Sequence, residues 1–210
     1  MRVVRCLIAV AVISGIGWLF PLFHIVPLKT AAAEKAAATF NAPQFADSFW
    51  TNQLLPAIKK TVGAGTLLAA IHSDPATARK KFSRQVGLSE SYFYFLSGTG
   101  RVVAVSDDEI SLAITSGSTN AEVSLQTGLV FGDAIRDGTG LLDAGTYPNS
   151  QDFNDLSSAL NHLVETRVLP PLRQQAKIGA TISFAGCAEV DDESTDLQPL
   201  KVVPIEARVQ

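Results

Sequence analysis

The sequence predicts an α+β protein with an N-terminal membrane anchor helix, a small helical subdomain and an antiparallel β domain that contains one inserted helix. Three observations lead to this prediction. A long apolar segment without charged residues lies near the N-terminus, apolar residues recur at helical spacing over 43–88, and several short segments of 89–210 have strand character with a period of two. A chain of 210 residues can bury a hydrophobic core without disulfides.

The anchor prediction rests on the segment from Cys6 to Leu28, which contains no Asp, Glu, Lys or Arg. A helix of this length would span roughly 34 Å, enough to cross a hydrocarbon core. Arg2 and Arg5 precede the segment, so the positive-inside rule keeps the N-terminus in the cytoplasm and exports the rest. We therefore assign 1–29 as a signal anchor, with residues 6–28 in the cytoplasmic membrane and the bulk of the chain in the periplasm.

A cleaved signal peptide is the alternative interpretation of the same segment. Thr30 to Ala33 are small residues that a signal peptidase accepts, which places the cut after Ala33. The length of the apolar segment and the position of Lys29 favour a retained anchor. Residues 30–42 are alanine-rich and form a spacer, whether they continue as a helix or serve as a linker.

The helical subdomain is predicted over 43–88. Pro56 either kinks the first helix or starts its second part, and Ser73 or Asp74 can cap a second helix that has Pro75 in its first turn. The first amphipathic face is formed by Phe45, Phe49 or Trp50, Leu54, Ile58 and Val62.

The β domain is predicted over 89–210, because the apolar period changes to two after Gly87. The segments SGTG, SDD and SGSTN are typical of turns between strands. The acidic segment AEVDDESTDLQP is interpreted as a solvated hairpin loop before the last strand. The predicted strands are Tyr92 to Leu96, Arg101 to Val105, Glu109 to Thr115, Ala121 to Gln126, Ile178 to Phe184 and Lys201 to Val209.

One helix is predicted near 151–168, where Phe153, Leu156 and Leu160 share an apolar face. Asn149 or Ser150 can cap its start, and Pro170 with Pro171 is expected to end it. About six short strands with one inserted helix indicate a partly open barrel of the oligonucleotide/oligosaccharide-binding (OB) type. A two-layer sheet packed on a helix is the alternative.

The glycine-rich loop 131–145, FGDAIRDGTGLLDAG, matches a calcium-binding loop only in part. With Asp133 at the first position of an EF-hand loop, Asp137 and Gly138 match, but Ala144 takes the place of the bidentate glutamate. The loop also has no lysine of the kind that a phosphate-binding loop requires. The pattern therefore predicts neither calcium nor phosphate binding.

A structural role for this loop is the simpler interpretation. Arg136 lies beside Asp133 and Asp137, so a local ion pair is expected to hold the loop in place. The alternative is a ligand or partner surface formed by Arg136, Asp137, Asn149 and Gln151.

Catalytic groups are not evident in the sequence. The chain has three histidines, one of them in the anchor segment, and no Gly-x-Ser-x-Gly motif, so we predict no catalytic residues, no metal and no cofactor. The net charge of −3 and the lack of a basic cluster argue against nucleic acid as a partner. The competing hypothesis is a periplasmic hydrolase acting on carbohydrate through Asp133 and Asp137.

The order of several motifs resembles the predicted periplasmic lipoproteins known as domain of unknown function 2291. The resemblance covers about residues 23 to 207. The motifs are FHIVPLKT, FADSFWTNQLLPAIKK, LLAAIHSDPATARKKF, FYFLSGTGRVVAV, AEVSLQTGLVFGDAIRDGTGLLD, NSQDF with SSALN, and VVPIEARV.

The resemblance implies an exported protein tethered to the cytoplasmic membrane, with a helical subdomain and an OB-like β domain. Family members often occur beside sugar ABC-transporter components, which implies an accessory or binding role with transporter or sugar-binding components as partners. No activity is established for the family, so no catalytic residue is carried over. The chain departs from the pattern at Phe23–His24, where some members carry the lipid-bearing cysteine, around Gly132–Asp133, and in TYPNSQDF.

Overall fold

The computed structural model describes residues 40–87, 90–143, 147 and 150–210. The predicted anchor 1–29 and almost all of the spacer 30–42 lie outside the described residues. Within the described ranges, no helix combines the length and the apolar character that crossing a bilayer requires. Residues Asn41–Gln210 form one compact unit, so the helices and the sheet share a core.

The first helix of this unit is continuous and changes its helix type three times. Helix α1 spans Ala42–Phe49, a π-helical turn follows over Trp50–Leu54, helix α2 covers Leu55–Ala57 and a 3₁₀ turn covers Ile58–Lys60. Pro56 lies in the first turn of α2, where its missing N–H is tolerated. Of the two alternatives predicted for Pro56, a kink or the start of a second helical part, the structure has the second.

Two shorter helices complete the helical region, α3 over Ala64–Ser73 and α4 over Pro75–Phe82. Asp74 caps α4, because its side chain accepts a hydrogen bond from the backbone N–H of Ala76 at 3.1 Å. Pro75 lies in the first turn of α4, which confirms the predicted cap.

The sheet is built on one long, bent strand. Gly98 and Gly100 were predicted to lie in a turn, but they belong to β3, which runs unbroken from Tyr92 to Val105. A Cβ on Gly98 would lie 2.7 Å from Cβ of Ala64, and one on Gly100 would lie 2.8 Å from Cδ1 of Ile114. The glycines permit close packing in the strand, so the prediction of a turn there is wrong. The strands are β1 Val62–Gly63, β2 Ser83–Gln85, β3 Tyr92–Val105, β4 Glu109–Ala113, β5 Val123–Gln126, β6 Thr181–Val190 and β7 Leu200–Val209.

Five of these strands form a closed cycle of pairings in the order β3-β4-β5-β7-β6, with β6 pairing back along β3. The β5–β7 pair is parallel and the other pairs of the cycle are antiparallel. Strands β1 and β2 both add to the first half of β3. The cycle therefore brings residues near 108, 126 and 201 onto neighbouring strand ends, although they are distant in sequence.

Strand β6 differs from its prediction, because it starts later, at Thr181, and continues beyond Phe184 to Val190. It pairs with β3 on one side and β7 on the other. A strand that is paired on both sides and buried on both faces does not alternate between apolar and polar residues. The sequence pattern therefore does not predict this part of β6. Cys187 and Ala188 are fully buried in this extension.

The inserted helix begins as α6, Ser150–Leu163, passes through a π-helical turn over Val164–Val168 and continues as α7, Leu169–Gln175. The prediction that Pro170 and Pro171 end the helix is wrong. The N–H of Leu169 bonds the carbonyl of Val164 across the π turn, and the prolines then occupy the first turn of α7.

The two other helices are short. Helix α5 covers Ala134–Gly138 between β5 and the inserted helix. Helix α8 covers Glu193–Asp196 between β6 and β7, and none of its residues is buried. The prediction of a solvated hairpin loop is confirmed for 191–196, which connect the antiparallel strands β6 and β7. It is wrong for Ala188 and Val190, which are fully buried in β6.

Candidate functional site

The acidic glycine loop is closed by a buried ion pair. Arg136 donates two hydrogen bonds to Asp137, from Nε to Oδ1 and from Nη2 to Oδ2, both at 2.8 Å. Nη2 also lies 2.9 Å from Oδ2 of Asp133. This confirms the expectation that a local ion pair holds the loop. Bidentate geometry of this kind is the strongest form of a carboxylate–guanidinium contact.

The guanidinium of Arg136 has further partners on α6. Its Cζ lies 3.9 Å from the centre of the Phe153 ring, and Nη1 donates to Oδ1 of Asn154 at 3.3 Å. Burial alone would lower the pKa of Arg136, but the hydrogen bonds and charge of Asp137 and Asp133 outweigh it and raise the pKa. Arg136 therefore stays charged, and its contacts connect Asp133 and Asp137 of the loop to α6.

The inserted helix holds the same loop through polar residues at intervals of four. The Ser157 hydroxyl donates to Oδ1 of Asp133 at 2.7 Å. Asn161 Nδ2 donates to the Gly132 carbonyl at 3.0 Å. Glu165 Oε1 accepts from the Val130 N–H at 3.0 Å. Sequence reasoning missed these three helix residues, although their spacing beside an apolar face was visible.

Of the four residues of the predicted ligand or partner surface, the structure describes three, and two of these are buried. Arg136 and Asp137 are 7% and 8% exposed, and they lie in the interior because their charges compensate each other there. Gln151 is exposed and donates to Oδ1 of Asp155 at 2.7 Å. Asn149 lies outside the described residues.

An open concave site lies next to this loop, which we call the sheet-face groove. Its main part has a volume of about 530 Å³. A smaller part of about 170 Å³ adjoins it through Gln126, Phe131 and Lys201, which line both. The other lining residues are Asp108, Glu109, Gly128 and Leu129 in the main part, and Ala134, Glu189, Asp191, Asp196 and Val203 in the smaller part.

The groove presents an aromatic ring to solvent, because Phe131 is 74% exposed. Both chain neighbours of Phe131 are tied to the inserted helix, Val130 through Glu165 and Gly132 through Asn161. Gly132 also has a positive φ of 81°, a conformation that other residues adopt at a cost. The backbone on each side thus holds the ring outward over the groove.

The groove lining is acidic. Lys201 is its one lysine or arginine, and its Nζ lies 3.2 Å from Oδ1 of Asp196. Glu109 accepts a hydrogen bond from the Ser124 hydroxyl at 2.7 Å. The lining carboxyl groups are those of Asp108, Glu109, Glu189, Asp191 and Asp196. Despite this density, the described residues contain no group of His, Cys, Asp and Glu side chains arranged to hold a metal ion.

Glu189 has an unusual ionisation within this groove. Burial raises the pKa of its carboxyl from 4.5 to about 7, and the nearby charges of Asp191, Asp133 and Asp137 add to the rise. Near neutral pH, Glu189 therefore exists partly as a neutral acid that can donate a hydrogen bond.

The pKa of Glu189 predicts a pH-dependent effect of Glu189→Gln. A raised pKa means that the folded state binds the proton more tightly than the unfolded state, so the contribution of Glu189 to stability falls as the pH rises from 4.5 to about 7. Glutamine does not ionise and avoids this loss. We expect the Tm of the variant, relative to wild type, to be higher at pH 8 than at pH 5 in thermal unfolding. An unchanged Tm difference at the two pH values would contradict the assignment.

Comparison with solved structures agrees with the strand topology. An OB-fold protein from Thermotoga maritima, known from its crystal structure, matches with a TM-score of 0.73 and 23% identity over 82% of this chain and 99% of that chain. The cycle of five strands, with the inserted helix between its third and fourth strands in chain order, is thus an OB fold. In this class, the face of the second and third strands and the adjoining loops commonly bind ligands.

The family follows from the sequence. The model of the family described as "Predicted periplasmic lipoprotein (DUF2291)" matches residues 6–207, and the chain belongs to this family. The predicted family membership is confirmed, and the family description agrees with a membrane-attached periplasmic protein. No curated protein matches the chain.

Proposed function

We propose that this protein is a non-catalytic, membrane-attached periplasmic binding module that takes an uncharged, hydroxyl-rich ligand such as a sugar into the sheet-face groove. The observation that carries the proposal is the exposed ring of Phe131, held over a groove whose walls are rich in carboxylates. The position supports it as well, because β4 and β5 are the second and third strands of the cycle.

The chemistry of the groove suits a sugar. An aromatic ring offers a flat apolar surface for the C–H face of a pyranose. Carboxylates such as those of Asp108 and Glu109 accept hydrogen bonds from hydroxyl groups. A few convergent polar groups around an apolar contact are typical of small-molecule sites.

Nucleic acid, the other common ligand of the OB class, is disfavoured by charge. Phosphate binding requires an excess of Lys and Arg. In the groove, Lys201 is already paired with Asp196, and the remaining ionisable groups are carboxyl groups.

The contacts of Asp133 and Asp137 favour binding over the alternative of a carbohydrate-acting hydrolase. Glycoside hydrolysis needs two carboxyl groups that face a common substrate cleft. Here both carboxylates contact the same guanidinium of Arg136, and neither lines the sheet-face groove.

The accessory role is part of the proposal. We expect the protein to act beside a sugar ABC transporter, which is the role that the family resemblance implies. Crosslinking in native membranes, with the complete chain including residues 6–28, should recover a permease or a sugar-binding subunit. Recovery of neither subunit would count against the accessory role while leaving ligand binding by the groove intact.

Phe131→Ala is expected to weaken sugar binding by about 10- to 100-fold, because loss of an aromatic anchor typically costs ~1.4 to 2.8 kcal/mol. The measurement is calorimetric titration of the full chain in lipid nanodiscs with a panel of neutral oligosaccharides. Ile178→Ala is the matched control, because Ile178 is also highly exposed, at 72%, and does not line the groove.

Two results would contradict the proposal. One is equal loss of affinity in Phe131→Ala and Ile178→Ala. The other is tight, salt-dependent binding of single-stranded DNA in place of sugar. That result would mean that the acidic lining of the groove does not exclude nucleic acid.

A further inference from the structure

A second concave site lies between the helical region and the sheet, and we call it the basic cleft. Its volume is about 520 Å³, within the range of small-molecule sites. It shares no lining residue with the sheet-face groove. The lining residues are Ala57, Lys60, Val62, Lys81, Phe82, Ser83, Arg84, Phe93, Phe95, Gly138, Thr139, Gly140 and Leu141.

The charge of this cleft is positive. Lys60, Lys81 and Arg84 line it together, and no Asp or Glu does. In the described part of the chain, each ion pair involves other residues, so these three cations have no carboxylate partner there. Three uncompensated cations around one cavity favour an anionic occupant.

The floor of the cleft is apolar and aromatic. Phe93 is buried, and Phe82 and Phe95 are half-buried. The Lys81 Nζ lies 4.9 Å from the centre of the Phe82 ring, so a cation borders the aromatic surface directly. An occupant would therefore contact rings with one part and ammonium or guanidinium groups with another.

Glycine backbone also lines the cleft, at Gly138 and Gly140. Gly140 has a φ of 69°, and a Cβ placed on it would lie 2.8 Å from Nη1 of Arg84. Arg84 therefore packs against the glycine backbone. A larger residue at 140 would both strain the turn and displace this guanidinium.

We propose that the basic cleft binds a small amphipathic organic anion, with its acidic group held by Lys60, Lys81 and Arg84 and its apolar body on Phe82, Phe93 and Phe95. The inference is independent of the proposed sugar ligand, because the two sites have opposite charge and separate linings. The two occupants would bind at the same time.

The test uses 2-naphthalenesulfonate and octanoate, titrated calorimetrically into the full chain in phosphatidylcholine nanodiscs, with empty nanodiscs as baseline. We expect binding of at least one of these anions, and the tighter one shows whether the apolar body is aromatic or aliphatic. A naphthalene that carries a quaternary ammonium in place of the sulfonate should not compete.

Paired variants locate the binding. The double variant Lys60→Gln/Lys81→Gln should weaken anion binding by about tenfold or more, since each charge-assisted contact contributes on this scale. The matched control Lys59→Gln/Lys80→Gln removes two exposed lysines next in sequence that do not line the cleft, and should leave affinity within about twofold. Failure of both anions to bind, an equal loss in the two double variants, or competition by the cationic naphthalene would overturn the proposal.

Discussion

Gly186→Ala should lower the free energy of unfolding by about 3 kcal/mol, the upper part of the usual range for overpacking a core. A Cβ on Gly186 would lie 2.7 Å from Cγ1 of Val202, and closer still to the carbonyl oxygen of Val203. That carbonyl belongs to β7, which pairs with β6 across a register shift at Ala185 and Gly186. The backbone cannot move away without disturbing the pairing that closes the cycle of strands.

Urea denaturation of the purified protein measures this loss. Gly65→Ala is the matched control, because Gly65 lies in α3 and a Cβ there meets nothing within 4 Å. Alanine favours a helix by up to about 1 kcal/mol over glycine, so this variant should be slightly stabilised. The same substitution is expected to have opposite signs at the two positions. A small effect at Gly186 would mean that β6 and β7 do not approach as closely as described.

Arg136→Met should destabilise the protein by about 3 to 5 kcal/mol, because it leaves the buried carboxylate of Asp137 without its counter-charge. Methionine keeps an unbranched apolar stem beside Phe153 but cannot replace the paired hydrogen bonds to Asp137. Asp133 would also lose a partner at 2.9 Å. Because the loop holds Phe131 over the groove, ligand affinity should fall together with stability.

Two further variants make this prediction specific. Arg208→Met removes an exposed ion pair with Glu206 and should cost less than about 1 kcal/mol. Arg136→Met/Asp137→Leu removes both buried charges and should recover much of the lost stability. If Arg136→Met unfolded at the same urea concentration as Arg208→Met, the buried ion pair would contribute no more to stability than an exposed one, which would contradict the prediction.

Local features of the fold were predictable because they depend on residues close in sequence. The Asp74 cap, the position of Pro56 and the ion pair of Arg136 with its neighbours all involve partners within four residues. The hairpin between β6 and β7 was also predictable, because an acidic segment rich in turn-forming residues between two apolar strands is typical of an exposed connecting loop.

Predictions were wrong where tertiary structure gave a residue a different role from the one that its local sequence indicates. Gly98 and Gly100 have the composition of a turn, yet they allow Ala64 and Ile114 to pack against β3. Pro170 and Pro171 look like a helix end, yet the preceding π turn accommodates them. Core packing outweighs the turn preference of the two glycines, whereas the two prolines lie in the first turn of a helix, where proline is tolerated.

By itself the sequence determined the α+β class, the family and the local ion pair of the glycine loop, because these depend on composition, periodicity and near neighbours. Only the tertiary structure decided where the two concave sites lie. The sheet-face groove combines Asp108, Phe131 and Lys201, and the basic cleft combines Lys60, Arg84 and Gly140. The groove residues meet because β4 pairs with β5 and β5 pairs with β7. Lys60 and Arg84 meet because β1 and β2 both pair with β3. Each site combines residues from segments that are distant in sequence, so no pattern within one segment predicts it.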